Sequence, residues 1–215
     1  LTGNAGTVMQ IVGFLAGLAV LWKVSRRTLS KAEDSMKLLH IKGDPAKCYL
    51  FLGLAIVGAV LGFNMLFSLS GMTDNSATYQ AVAEDQYSAA LWLGLLCYGF
   101  VTPYVEEILF RGIIYNCMRR RMTVKMSIFL CSMMFGLYHM NTVQAVYAFL
   151  IGCIIAYAYE YFGDFRMPVI VHIMANVLSY CLTYTSLAVS GLVSWPACIV
   201  FLAVMAVGLL LLHKE

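Results

Sequence analysis

Residues 48–69 read CYLFLGLAIVGAVLGFNMLFSL, a run of 22 residues with no Asp, Glu, Lys, Arg or His. As a helix it reaches about 33 Å, enough to cross the roughly 30 Å hydrocarbon layer of a bilayer. Its glycines, Gly53, Gly58 and Gly62, are spaced for close helix packing and make no phosphate-binding loop. Working outward, the same texture recurs. Further apolar blocks cover Thr7–Trp22, Tyr87–Met118, Met126–Met140, Val143–Tyr159, Pro168–Leu187 and Gly191–His213.

Hydrophobic residues make up 61% of the chain and charged residues 12%, and the mean hydropathy is +0.81. A soluble domain cannot hide that much apolar surface. The expected fold is therefore all-α, a polytopic transmembrane bundle of about seven spans with a kinked third helix, and residues 1–215 form one integral membrane domain. The net charge of +3 comes from residues placed mostly between the blocks, and nothing in the chain points to nucleic acid. The seven cysteines lie mostly in apolar runs without CxxC spacing, which suits small buried hydrophobes better than a disulfide scaffold or a zinc knuckle. The chain opens LTGNAG without a basic region, so the first helix is expected to act as its own insertion signal.

The basic residues set an orientation. Lys23 to Lys47 and Arg119 to Lys125 form two basic clusters, whereas Ser70 to Gln86 holds Asp74, Glu84 and Asp85 with no Lys or Arg. Placing both basic clusters in the cytoplasm puts the amino terminus outside and Lys214 inside. Lys31 to Lys47, with Gly43 and Pro45 as breakers, reads as a surface loop or a short interfacial helix. Pro103 interrupts the long third block and predicts a kink there.

Ionisable groups inside such blocks cost about 2.5–3.5 kcal/mol at a helix centre and each needs a reason. PYVEEILFRG at 103–112 carries Glu106, Glu107 and Arg111. Glu107 and Arg111 stand four apart on one helical face and pair, while Glu106 is rotated about 100° away and is left available. The bland alternative puts both glutamates in the headgroup zone, where charge is cheap. His139 in FGLYHM closes the fourth block, a position that also suits a capping residue. His172 and Asn176, four apart in PVIVHIMANV, share a face and suit either an interhelical hydrogen-bond pair or a donor pair for a developing oxyanion. Together they concentrate proton-transfer groups on three blocks: a carboxylate and an imidazole to activate water, a second imidazole and an amide to hold the oxyanion. There is no GxSxG or HExxH, and nothing distinguishes Ser127, Ser132 or Ser179 from ordinary packing residues. Glu106, His139 and His172 still make a two-His, one-carboxylate set that zinc could use.

EExxxR at Glu106–Arg111, FxxxH at Phe135–His139 and HxxxN at His172–Asn176, in that order on separate apolar helices, resemble the CPBP family of membrane proteins. That family includes type II CAAX prenyl endopeptidases and bacterial Abi proteins linked to bacteriocin self-immunity. The resemblance covers residues 87–184 and implies an intramembrane glutamate protease acting near the cytoplasmic face of a bacterial cell membrane. Residue by residue it implies Glu106 as the general base, His139 as its helper, and His172 with Asn176 as the oxyanion site. It further implies Glu107 and Arg111 as supporting residues and Phe135 as the aromatic beside His139. It calls for no metal or cofactor. The substrate would be a small or membrane-associated peptide or protein, with or without a lipid modification. A non-catalytic immunity or scaffold protein that binds a peptide in the same polar cavity is the competing expectation, and a proton-coupled transporter is a third.

Overall fold

The structure is a computed structural model and describes residues 3–36, 43–184 and 193–215. The described residues form eight helices, α1 (Gly3–Met36), α2 (Pro45–Leu69), α3 (Ala77–Tyr87), α4 (Leu91–Arg119), α5 (Val124–Tyr138), α6 (Thr142–Phe162), α7 (Arg166–Tyr184) and α8 (Trp195–Lys214). Six of these are long and apolar enough to cross a membrane, and α5 is a shorter apolar helix. The chain is an integral membrane protein built as a helical bundle. The turn that the sequence places between Leu187 and Gly191 lies outside the described residues.

Local chemistry sets the helix ends. Asp44 caps α2 by accepting from the Ala46 N–H at 2.9 Å, with Pro45 in the first turn where its missing N–H costs nothing. Ser76, Thr123, Asn141 and Ser194 cap α3, α5, α6 and α8 in the same way. Of the two expectations for the basic segment after the first block, loop or short helix, its first part takes the helical one. Helix α1 continues past Lys23 to Met36 because neither Gly nor Pro interrupts it, so the first part of the basic segment is helix and not loop.

Gly58 and Gly62 seat α2 against α8. A Cβ on Gly58 would stand 2.6 Å from the Met205 nitrogen and the Phe201 carbonyl oxygen, and one on Gly62 would meet Leu202 at 2.6 Å. Small residues let the two backbones approach where lipid supplies no hydrophobic drive to associate. Gly53, the third of the series, faces open space. The core spreads from this pair over Ile56, Val60, Ile155 and Val171, which join α2, α6 and α7. A second cluster of Phe110, Tyr115, Cys131, Phe135 and Tyr159 ties α4 to α5 and α6.

Around Pro103, α4 is wound in two wide π-helical stretches, Leu95–Val101 and Ile108–Tyr115, on either side of an α-helical segment Thr102–Glu107. Just before the proline the Thr102 N–H bonds five residues back, to the Cys97 carbonyl. The wide turns absorb the donor that proline lacks without breaking the helix, and such turns recur at functional sites.

Candidate active site

Glu106 and Glu107 close the α-helical segment of α4 between its two wide turns. Both are buried, at 6% and 0% exposure, as is Arg111 at 0%. Glu107 Oε1 accepts from Arg111 Nη1 at 2.7 Å, the four-residue pair that the spacing predicts. Arg111 Nη2 donates to the Gly152 carbonyl at 2.9 Å, and its guanidinium lies 5.0 Å over the Phe135 ring. A Cβ on Gly152 would sit 3.3 Å from Arg111 Nη2 and 3.1 Å from Phe135. The glycine therefore leaves room for the guanidinium, which the sequence alone did not indicate.

His172 on α7 lies 3% exposed between the two glutamates. Its Nδ1 is 2.7 Å from Glu107 Oε1 and its Nε2 is 3.7 Å from Glu106 Oε2. An ionised carboxylate only accepts, so Nδ1 carries the hydrogen toward Glu107 and the ring turns Nε2 toward Glu106. Phe135 packs edge-on against both imidazoles, 5.1 Å from His139 and 5.4 Å from His172.

Glu106, His139 and Asn176 line one cavity of about 260 Å³. His172 stands behind its wall, next to Glu106. His139 ends α5, with Nδ1 2.9 Å from the Phe135 carbonyl, which leaves Nε2 as its other polar atom. Asn176 Nδ2 donates to the Tyr98 carbonyl at 2.9 Å.

Depth explains how a histidine at a helix end meets a glutamate in mid-helix. Thirteen residues separate Glu106 from Arg119, about 20 Å of helix, and α5 rises about 22 Å from Val124 to His139. Starting from the same arginine-rich turn, both side chains arrive at the same level. Glu106 therefore stands midway along α4. From there the cavity runs past Tyr98, Thr102 and Tyr147 to Thr73, Tyr79, Val82, Gln86 and Tyr87, the face away from Arg119–Arg121.

Among the described residues of that lining, Glu106 is the only acidic or basic side chain, histidine aside. Asn64, Gln144, Tyr147 and Ser179 supply polar but uncharged wall that sequence reasoning passed over. No group of three His, Cys, Asp or Glu side chains among the described residues is arranged to hold a metal ion, so Glu106, His139 and His172 do not converge as a ligand set.

Residues 88–178 match the family model described as type II CAAX prenyl endopeptidase Rce1-like. Over that stretch the chain is similar to the Rce1-like proteins. The match takes in Glu106, Glu107, Arg111, Phe135, His139, His172 and Asn176, and is consistent with the CPBP family that the three motifs resemble. It supports an intramembrane protease of the CAAX type in general. No curated protein and no solved structure matches the chain.

Proposed function

We propose that this chain is an intramembrane endopeptidase that hydrolyses a peptide bond by direct attack of water, with residues 87–184 as its catalytic core. Glu106 takes the proton of a water held in the cavity, and His139 helps to orient that water. Asn176 spends one amide hydrogen on the Tyr98 carbonyl and has a second for the tetrahedral oxyanion. His172 is the second donor in its imidazolium form, with Nδ1–H on Glu107 and Nε2–H toward the oxyanion, and it keeps both protons throughout, so it does not enter the proton balance. The proton taken by Glu106 finally goes to the departing amine, so that water is divided between the two products.

The observation that carries this reading is the meeting of Glu106, His139 and Asn176, from three helices, on one cavity, with His172 Nε2 3.7 Å from Glu106 Oε2. Hydrogen bonds of this kind are often long before substrate arrives. The cavity's course also bears on sidedness. No Lys or Arg occurs between Lys47 and Arg111 or between Lys125 and Arg166. With the basic turns cytoplasmic, the cavity faces the opposite side, whereas the family resemblance implies chemistry near the cytoplasmic face. We take the charge distribution as the stronger guide.

Glu106→Gln, purified in detergent and assayed against a peptide library, is expected to lose about 10²–10⁴-fold in turnover while unfolding at the wild-type temperature. Undiminished cleavage would remove Glu106 from the reaction. Peptide binding without cleavage by the wild-type chain would leave the immunity or scaffold reading instead.

A further inference from the structure

The far wall of the cavity carries a polar cluster that the proposed chemistry does not use. Asn64 on α2, Tyr147 on α6 and Ser179 on α7 all line it. Asn64 Nδ2 donates to the Val60 carbonyl at 2.8 Å and lies 3.3 Å from the Tyr147 hydroxyl and 3.4 Å from Ser179 Oγ. The Val60 carbonyl can only accept, so the amide orientation is fixed and Oδ1 is the atom left over. Among the described residues no donor reaches that oxygen.

That oxygen opens onto the cavity and not into packed protein, so water meets it until a substrate N–H takes its place. Interhelical packing alone does not account for the cluster, because an Asn whose acceptor is unused and whose neighbours are two hydroxyls offers both a place to donate and a place to accept. An amide has that complementary pair, an N–H for Asn64 Oδ1 and a C=O for the hydroxyl of Tyr147 or Ser179. A carboxylate would find no Lys or Arg among the described residues of the lining, and an isoprenoid chain would leave Asn64 Oδ1 without a donor.

Position along α7 says where on the substrate this group lies. Ser179 is seven residues beyond His172 and three beyond Asn176 on the same stripe, about 10 Å from His172 along the helix axis. That is roughly three residues of extended peptide at about 3.3 Å each. At the mouth nearby, burial pushes the Tyr87 phenol up to about 12, so it stays protonated.

We propose that Asn64, Tyr147 and Ser179 form a substrate subsite that binds an amide about three residues from the scissile bond. This rests on the endopeptidase reading for the identity of the peptide's reacting bond. The amide is either an Asn or Gln side chain or the peptide backbone.

The test uses the full chain in detergent and a peptide panel in which each position near the cut is varied among Gln, Asn, Leu and N-methylated residues. Cleavage is measured for the wild type and binding for Glu106→Gln. One position about three residues from the cut should favour Gln or Asn over Leu by about tenfold, or lose about tenfold on N-methylation if the backbone is bound. Asn64→Leu should erase that discrimination, and the milder Tyr147→Phe and Ser179→Ala should each weaken it, mainly through KM. Equal handling of all variants, or discrimination that survives Asn64→Leu in a folded protein, overturns the subsite while cleavage continues. Discrimination in binding without any cleavage keeps the subsite and overturns the protease.

Discussion

The Asn176 side chain donates to the Tyr98 carbonyl at 2.9 Å, and Pro103 is the reason that carbonyl accepts from another helix. In the five-residue register that Thr102 follows, the donor for Tyr98 would be the nitrogen of residue 103, and proline has none. Asn176 is thus tied to the helix that carries Glu106 through a gap that proline opened. Pro103→Ala restores the donor, competes with Asn176 and lets the wide turn relax. Its expected effect is a loss of turnover with little loss of stability, read as kcat at unchanged thermal unfolding in detergent. Asn176→Leu should cost about 1–3 kcal/mol of stability as well, because the Tyr98 carbonyl is then orphaned. A Pro103→Ala protein with wild-type kcat would separate this linkage from the chemistry.

Glu107 and Arg111 form a pair with no exposed surface, and breaking such a pair from one side leaves a buried charge. Arg111→Met should destabilise by about 3–5 kcal/mol. Combining it with Glu107→Gln should recover a large part of that loss, since the carboxylate charge goes too, although His172 then loses its charged acceptor and turnover stays low. Thermal unfolding of the two single variants and the double variant in detergent measures the coupling. Strictly additive losses would mean that the pair has no special standing.

Spacing within one helix was legible from the chain alone, because four residues on any helix share a face. Glu107 with Arg111 and His172 with Asn176 were found that way, as was the separate orientation of Glu106. What joins different helices was not. Lipid and core are both apolar, so the blocks carry no face signal; Ser179 read as ordinary packing, and nothing singled out Asn64 or Tyr147. Gly152 matters through Phe135 and Arg111, partners on other helices, Arg111 lying 41 residues away. The wide turns of α4 were anticipated as a kink, since a missing N–H fixes where the ladder must change but not how.

Gly58 and Gly53 should respond oppositely to a methyl group or more, although they sit five residues apart in the same helix. A side chain at 58 meets the backbone of α8 at 2.6 Å, and backbone cannot step aside, whereas position 53 is open. Gly58→Val is expected to lose several kcal/mol, more than the usual 1–3 kcal/mol of overpacking, or to fail to assemble. Gly53→Ala should hold stability or gain up to about 1 kcal/mol from helix propensity. Unfolding temperatures in detergent compare the two, and a tolerated Gly58→Val would mean that α8 does not pack as described.

The proposed membrane sidedness rests on charge and on the course of the cavity together. Cys117, exposed beside the arginine turn, reports on one face, and Val82, exposed on α3 and lining the cavity, reports on the other. In single-cysteine proteins, a membrane-impermeant maleimide added to intact cells should label Val82→Cys and reach Cys117 only after permeabilisation. Cleavage by the labelled Val82→Cys protein should fall, because the adduct stands in the cavity mouth. Labelling of Cys117 in intact cells with Val82→Cys protected would invert the orientation and return the chemistry to the cytoplasmic face, where the family resemblance puts it. Full cleavage after complete labelling at position 82 would instead close this route to Glu106, since a water-filled path cannot carry a peptide past a bulky adduct fixed at its rim.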